Sequence, residues 1–134
     1  MKKDILFPQV TGVYLAAVKK MTDQNTEEWF AVLINRNDFA ITNIMITSRG
    51  YGEIAGEKRQ SSVLRHSFES IDSRKNVVIE MLDKVVFSIN NEYWISYFVG
   101  SQMFDKKFIF LAGSISDQFL TYIPELDLDG VLHQ

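Results

Sequence analysis

Apolar residues along this chain fall into short runs, many of them alternating with polar neighbours, and polar turn residues break the runs at short intervals. Alternation with period two marks strands, because successive strand side chains point to opposite faces. The pattern predicts strands at Thr11 to Lys19, Trp29 to Asn35, Ile41 to Ser48, Ser62 to Ser70, Asn76 to Leu82, Val85 to Ile89, Tyr93 to Val99, Phe108 to Ala112 and Leu120 to Ile123. Turn chemistry separates them at Asn35-Arg36-Asn37-Asp38, Asp72-Ser73-Arg74-Lys75-Asn76, Asn90-Asn91 and Gly100-Ser101. Many short strands with little helix between them predict an all-β, antiparallel β-sandwich, immunoglobulin-like in architecture.

Two stretches carry a competing helical period. In Asn25-Thr26-Glu27-Glu28-Trp29, Asn25 suits an N-cap with Glu28 at its third position, which allows one short helical turn. Val77, Val78, Met81, Leu82, Val85, Val86 and Ile89 also recur at helical spacing behind Ser73. Two strands remain the preferred reading of residues 73–89, because five of those seven residues are β-branched and Asp83-Lys84 suits a turn.

In Tyr93 to Val99, residues Tyr93, Ile95, Tyr97 and Val99 share one face, while Trp94, Ser96 and Phe98 share the other. A strand apolar on both faces is central or covered by a partner. Tyr93, Ile95, Tyr97 and Phe98 are therefore candidate interface residues of a homodimer.

Length and composition fit one globular domain over residues 1–134. The chain is 46% hydrophobic and 23% charged, with 2 Pro and 7 Gly, which excludes collagen-like and disordered classes. A net charge of -3 argues against a dedicated polyanion binder. The complete lack of Cys removes disulfides, thiolate nucleophiles and Cys-ligated zinc. Lys2 and Lys3 imitate a signal n-region, but Ile5-Leu6-Phe7 before Pro8 is far short of an export h-region, so the expected location is cytoplasmic. No apolar run is long enough to span a bilayer as a helix.

Chemical motifs are sparse. Asp127-Leu128-Asp129-Gly130 has alternate carboxylates and a glycine like the middle of a calcium loop, but the bidentate Glu six residues beyond the glycine is missing, so a structural turn or frayed tail is expected. His66 lies in a strand with Leu64 and Phe68 on its face, which suits a half-buried, hydrogen-bonded imidazole. A catalytic role would need a cleft that gathers it with a carboxylate and a Ser or Arg, and a metal site would need partners such as Asp or Glu converging from other strands. The glycines of Ser48 to Arg59 match neither nucleotide-binding fingerprint, and predict a long hairpin tip. Arg49, Tyr51, Lys58 and Arg59 there, with His66, are the candidate binding residues. Phe104-Asp105-Lys106-Lys107-Phe108 mixes aromatic and basic residues as single-stranded nucleic-acid binders do, although core filling explains the aromatics equally well. No cofactor motif is met and no metal set is specified.

Thr47-Ser48-Arg49-Gly50-Tyr51-Gly52-Glu53, Gly56-Glu57-Lys58-Arg59, Asn90-Asn91-Glu92-Tyr93-Trp94 and Phe104-Asp105-Lys106-Lys107 resemble a small family of uncharacterised bacterial all-β proteins over most of the chain. Some members carry a phenylalanyl-tRNA synthetase subunit label. The resemblance implies a compact intracellular bacterial protein and, through that label, a connection to tRNA charging; it assigns no functional residue.

Together these observations predict a non-catalytic protein-binding or assembly module that self-associates. The alternatives are an accessory RNA- or translation-associated protein and a small enzyme with a His66-centred site. The RNA alternative requires Arg49, Lys58, Arg59, Arg65, Arg74 and Lys75 to share one face.

Overall fold

The structure is a computed structural model and describes residues 9–133. The Lys2 to Pro8 segment thus lies outside the described residues. Alternating β-branched and aromatic positions form ten strands: β1 (Val13–Met21), β2 (Glu27–Asn35), β3 (Ile41–Ile54), β4 (Glu57–Gln60), β5 (Leu64–Ile71), β6 (Asn76–Leu82), β7 (Asn90–Val99), β8 (Gln102–Phe110), β9 (Thr121–Ile123) and β10 (Leu128–His133).

These strands build two antiparallel sheets packed as an all-β sandwich. The first sheet has the order β6-β2-β1-β10-β9. The second runs β4-β3-β7-β8, with β5 beside β4 along the same edge of β3, because Tyr51 pairs with Gln60 on one side and Asn90 on the other.

The main core lies between the sheets. Leu15, Ala17, Ala31 and Leu33 of the first sheet meet Ile44, Ile46, Tyr93, Ile95 and Phe108 of the second, all buried. A smaller cluster of Ala16, Val18, Val32, Ile34 and Ile123 covers the outer face of the first sheet. Strands β1 and β2 are therefore buried on both faces, which is why Ala31 to Ile34 reads as a continuous apolar run rather than an alternation. Truncating Ile46, buried at the sheet interface, would cost ~2–5 kcal/mol through lost transfer energy and a residual cavity.

Each lateral seam between the sheets holds a histidine. At the seam between edge strands β5 and β6, His66 Nε2 donates to Glu80 Oε1 at 2.8 Å. At the opposite seam, the backbone N–H of Ile109 on β8 donates to His133 Nε2 on β10 at 3.3 Å, with the Phe108 and Phe110 rings edge-on to the imidazole.

Several sequence-based expectations are corrected. Val85 to Ile89 is not a strand: Lys84–Ser88 is a 3-10 turn, started by the Asp83 carboxylate accepting from Val85 N, and Phe87 packs edge-on against Trp29 at 5.2 Å. The segment at Asn25 is a tight connection between β1 and β2, closed by Thr22 and Thr26, with Asn25 at φ 64° rather than at a helix cap. Asn90-Asn91 opens β7 instead of breaking the chain. The aromatic and basic run Phe104 to Phe108 is the middle of β8, where Phe104 stacks on Tyr97 and Phe108 is buried, so neither ring is open to a base.

Asp127-Leu128-Asp129-Gly130 is neither a calcium loop nor a tail. Asp127 is the left-handed end of a turn and the next residues enter β10 beside β1. Gly130 is needed for packing: a Cβ there would lie 2.9 Å from Ala17 O, Val18 Cγ1 and Ile123 Cδ1.

Candidate functional site

The polar cluster with the most convergent geometry sits at the β5–β6 seam. Along β6, strict alternation would place Glu80 with exposed Val78 on the solvent face. A register shift prevents this: Val32 pairs with Val78 and Ala31 with Glu80, leaving Ile79 as an extra residue. The bulge turns Glu80 inward towards the other sheet, a common use of such irregularities.

Three strands of the second sheet meet it there. Ser48 Oγ on β3 donates to Glu80 Oε1 at 2.9 Å, His66 on β5 shares that oxygen, and Tyr93 OH on β7 donates to Oε2 at 2.9 Å. The Glu80 side chain is 13% exposed. Charge-assisted hydrogen bonds of this kind are about twice as strong as neutral ones. Burial, and then the adjacent Glu80 charge, raise the pKa of the Tyr93 hydroxyl far above the usual phenol range, so it stays a donor.

Beside this cluster opens a cleft of about 210 Å³. Ser48, Gly50, Ser61, Leu64 and Asn91 line one side, and Glu80, Met81 and Asp83 the other. The glycine of the cleft wall has a packing role, since a Cβ on Gly50 would meet Ile89 Cδ1 at 2.8 Å.

The residues singled out in the sequence are distributed over the cluster, the β3–β4 hairpin, the core and the outer face. His66 belongs to the cluster. Arg49 borders the cleft, but its guanidinium donates to Glu92 at 3.0 Å and lies 5.1 Å over the Tyr51 ring. Tyr51, Lys58 and Arg59 lie on the β3–β4 hairpin, where Arg59 pairs with Glu57. Tyr93, Ile95 and Tyr97 fill the core, so an interface through those three would require the sandwich to open. Phe98 lies on the other, outer face and is half-buried.

Sequence reasoning missed Glu80, although a single acid within Val77-Val78-Ile79-Glu80-Met81-Leu82 is a local signal that something receives it. Among the described residues no group of His, Cys, Asp or Glu is arranged to hold a metal ion, and no helix is long and apolar enough to cross a membrane.

The outer face of the second sheet is the other candidate surface. Cross-strand pairing aligns Arg65, Thr47, Trp94 and Lys107 in one row, and Ser67, Met45, Ser96 and Asp105 in the next, with Phe98 opposite Met103. Met45, Trp94 and Met103 are 58%, 51% and 46% exposed.

Compared with protein-family models, curated proteins and solved structures, the chain matches none.

Proposed function

We propose that the protein is a non-catalytic protein-binding and assembly module that pairs with a second copy of itself through the outer face of its second sheet. The observation that supports this reading is the exposed strip of Met45, Trp94 and Met103, bordered by half-buried Phe98. Trp, Met and Arg are the residues enriched where proteins bind proteins.

Charge on this face is nearly balanced. Arg49, Arg65 and Lys107 stand against Glu92 and Asp105, and Glu92 is already bridged by Arg49 and more loosely by Lys107. A balanced face with an apolar centre suits an isologous contact with itself better than a strongly charged partner. Four strands spaced about 4.8 Å apart, with β7 running about 33 Å, give a projected area of about 600 Å². That is on the scale of the roughly 800 Å² of accessible surface that each partner contributes to a standard interface.

The basic residues named for an RNA surface are spread over three places: Arg49 and Arg65 on the outer face, Lys58 and Arg59 on the β3–β4 hairpin, and Arg74 and Lys75 in the β5–β6 turn. Arg74 pairs with Asp38 near the β5–β6 turn, Arg59 with Glu57 on the hairpin, and Arg49 with Glu92 on the outer face. This scatter favours protein over RNA as the partner. The residue types required of a His66-centred enzyme do converge, since Glu80 and Ser48 meet at His66 beside the cleft, but their order does not suit nucleophilic catalysis. A Ser-His-acid relay needs imidazole between hydroxyl and carboxylate, whereas here Ser48 and His66 both address one carboxylate oxygen.

Size-exclusion chromatography with light scattering tests the reading. The wild type should elute as a dimer and Trp94→Glu as a monomer with an unchanged circular dichroism spectrum, because Trp94 does not enter the core. A monomeric wild type would overturn the self-association.

A further inference from the structure

We propose that the cleft at the β5–β6 seam is a binding site for a small primary ammonium compound, whose charged end rests on Glu80. This is independent of the outer face, which lies on the opposite side of the second sheet.

The cleft is short of positive charge. Its carboxylates are Glu80 and Asp83, and among the described residues its only bordering cation, Arg49, is held by Glu92 on the other side of the sheet. Glu80 is fixed by a hydroxyl, a phenol and an imidazole, of which only His66, 2.8 Å away, can carry a positive charge, and only when protonated. A carboxylate so enclosed is most stable with a cation beside it.

Asn91 adds a second acceptor to the same space. This residue is 6% exposed, and its Nδ2 is committed to the carbonyls of Val86 and Ile89. Its Oδ1 is left as an acceptor on the cleft wall near Gly50. Asn91 and Tyr93 stand two residues apart on one face of β7, about 7 Å along the strand, and both line the cleft together with Glu80.

The cleft thus offers acceptors and asks for donors. An ammonium group brings three donors and one charge, with no acceptor to clash with the carboxylate. Leu64, Met81 and Val86 give the short alkyl part apolar contact, and Ser61 and Ser62 border it for a hydroxyl at the far end. The small volume restricts the ligand to a few heavy atoms beyond the ammonium group. A carboxylate-bearing ligand would meet Glu80 and Asp83 with like charge.

Nuclear magnetic resonance titration of the full chain with ethanolamine and with 1,4-diaminobutane tests this, with sodium acetate as the anion control. The expected result is saturable shifts of the Gly50, Glu80 and Asn91 amides with at least one amine and none with acetate. Glu80→Gln should weaken binding by about tenfold or more, as loss of a charge-assisted hydrogen bond entails. Leu64→Trp, at an exposed position on the cleft rim, should block entry while keeping the Glu80 carboxylate, and serves if the Glu80 variant does not fold. No saturable shift with either amine, equal shifts with acetate, or undiminished binding by folded Leu64→Trp or Glu80→Gln would overturn the proposal.

Discussion

Glu80 holds together residues that lie far apart in the chain, and its hydrogen bonds make Tyr93 the most informative side chain to alter. Tyr93→Phe keeps the ring, its T-shaped contact with Phe110 and the core volume, while removing the donor to Glu80 Oε2. The expected loss is about 1.5–3 kcal/mol in a urea unfolding curve, since the acceptor is charged and mostly enclosed. Gly130→Ala should cost ~1–3 kcal/mol by overpacking, because the new methyl would meet a backbone oxygen and two side chains that are themselves buried. At this scale the sequence is partly legible. His66 can be read as a half-buried, bonded imidazole from its place between Leu64 and Phe68. Its partner cannot, because only the bulge at Ile79 brings Glu80 to the inner face, and a bulge leaves no mark in a period-two pattern.

Among the elements, strands announce themselves where one face is buried, and mislead where packing comes from elsewhere. The alternation in Tyr93 to Val99 divides correctly into two faces; deciding which apolar face is the core needs the other sheet. The helical period across residues 77–89 corresponds to no single element, since its first half is strand β6 and its second a 3-10 turn whose Asp83 cap and Phe87–Trp29 contact override the β-branched composition. Strand β10 is hidden because Asp-rich, Gly-bearing sequence mimics a turn, while its glycine answers to crowding by a neighbouring strand. The 3-10 turn also ties itself to β2 by charge. Lys84, then the Trp29 indole N–H and Lys19, hold the Glu27 carboxyl down to about 2 from its ordinary 4.5. Since folding favours the ionised form, this contribution is present above about pH 4.5 and is lost as pH falls towards 2. Melting temperatures measured across that window should decline, and Glu27→Gln should make the decline shallower.

For the molecule as a whole, the alkaline limit is set in the core. Burial pushes the Tyr97 hydroxyl up to about 12 from 10.0. Folding here favours the neutral form, so the contribution is complete below about pH 10 and is lost as pH rises through 12. Tyrosinate absorbance should rise together with loss of the fold, and Tyr97→Phe should move that transition upward. The two sheets are foreseeable from strand spacing, but their order is not, because pairing joins residues that no local pattern relates. Nowhere is that separation wider than between β1 and β10. Leu15 lies opposite His133 and Lys19 opposite Asp129, so one side of β1 has no neighbour until nearly everything between them has been made. On a translating ribosome that apolar strand edge stays open until β10 emerges, and pairing across so long a stretch of chain is the kind that slows folding, so refolding measured by stopped flow should be slow for a domain of this size.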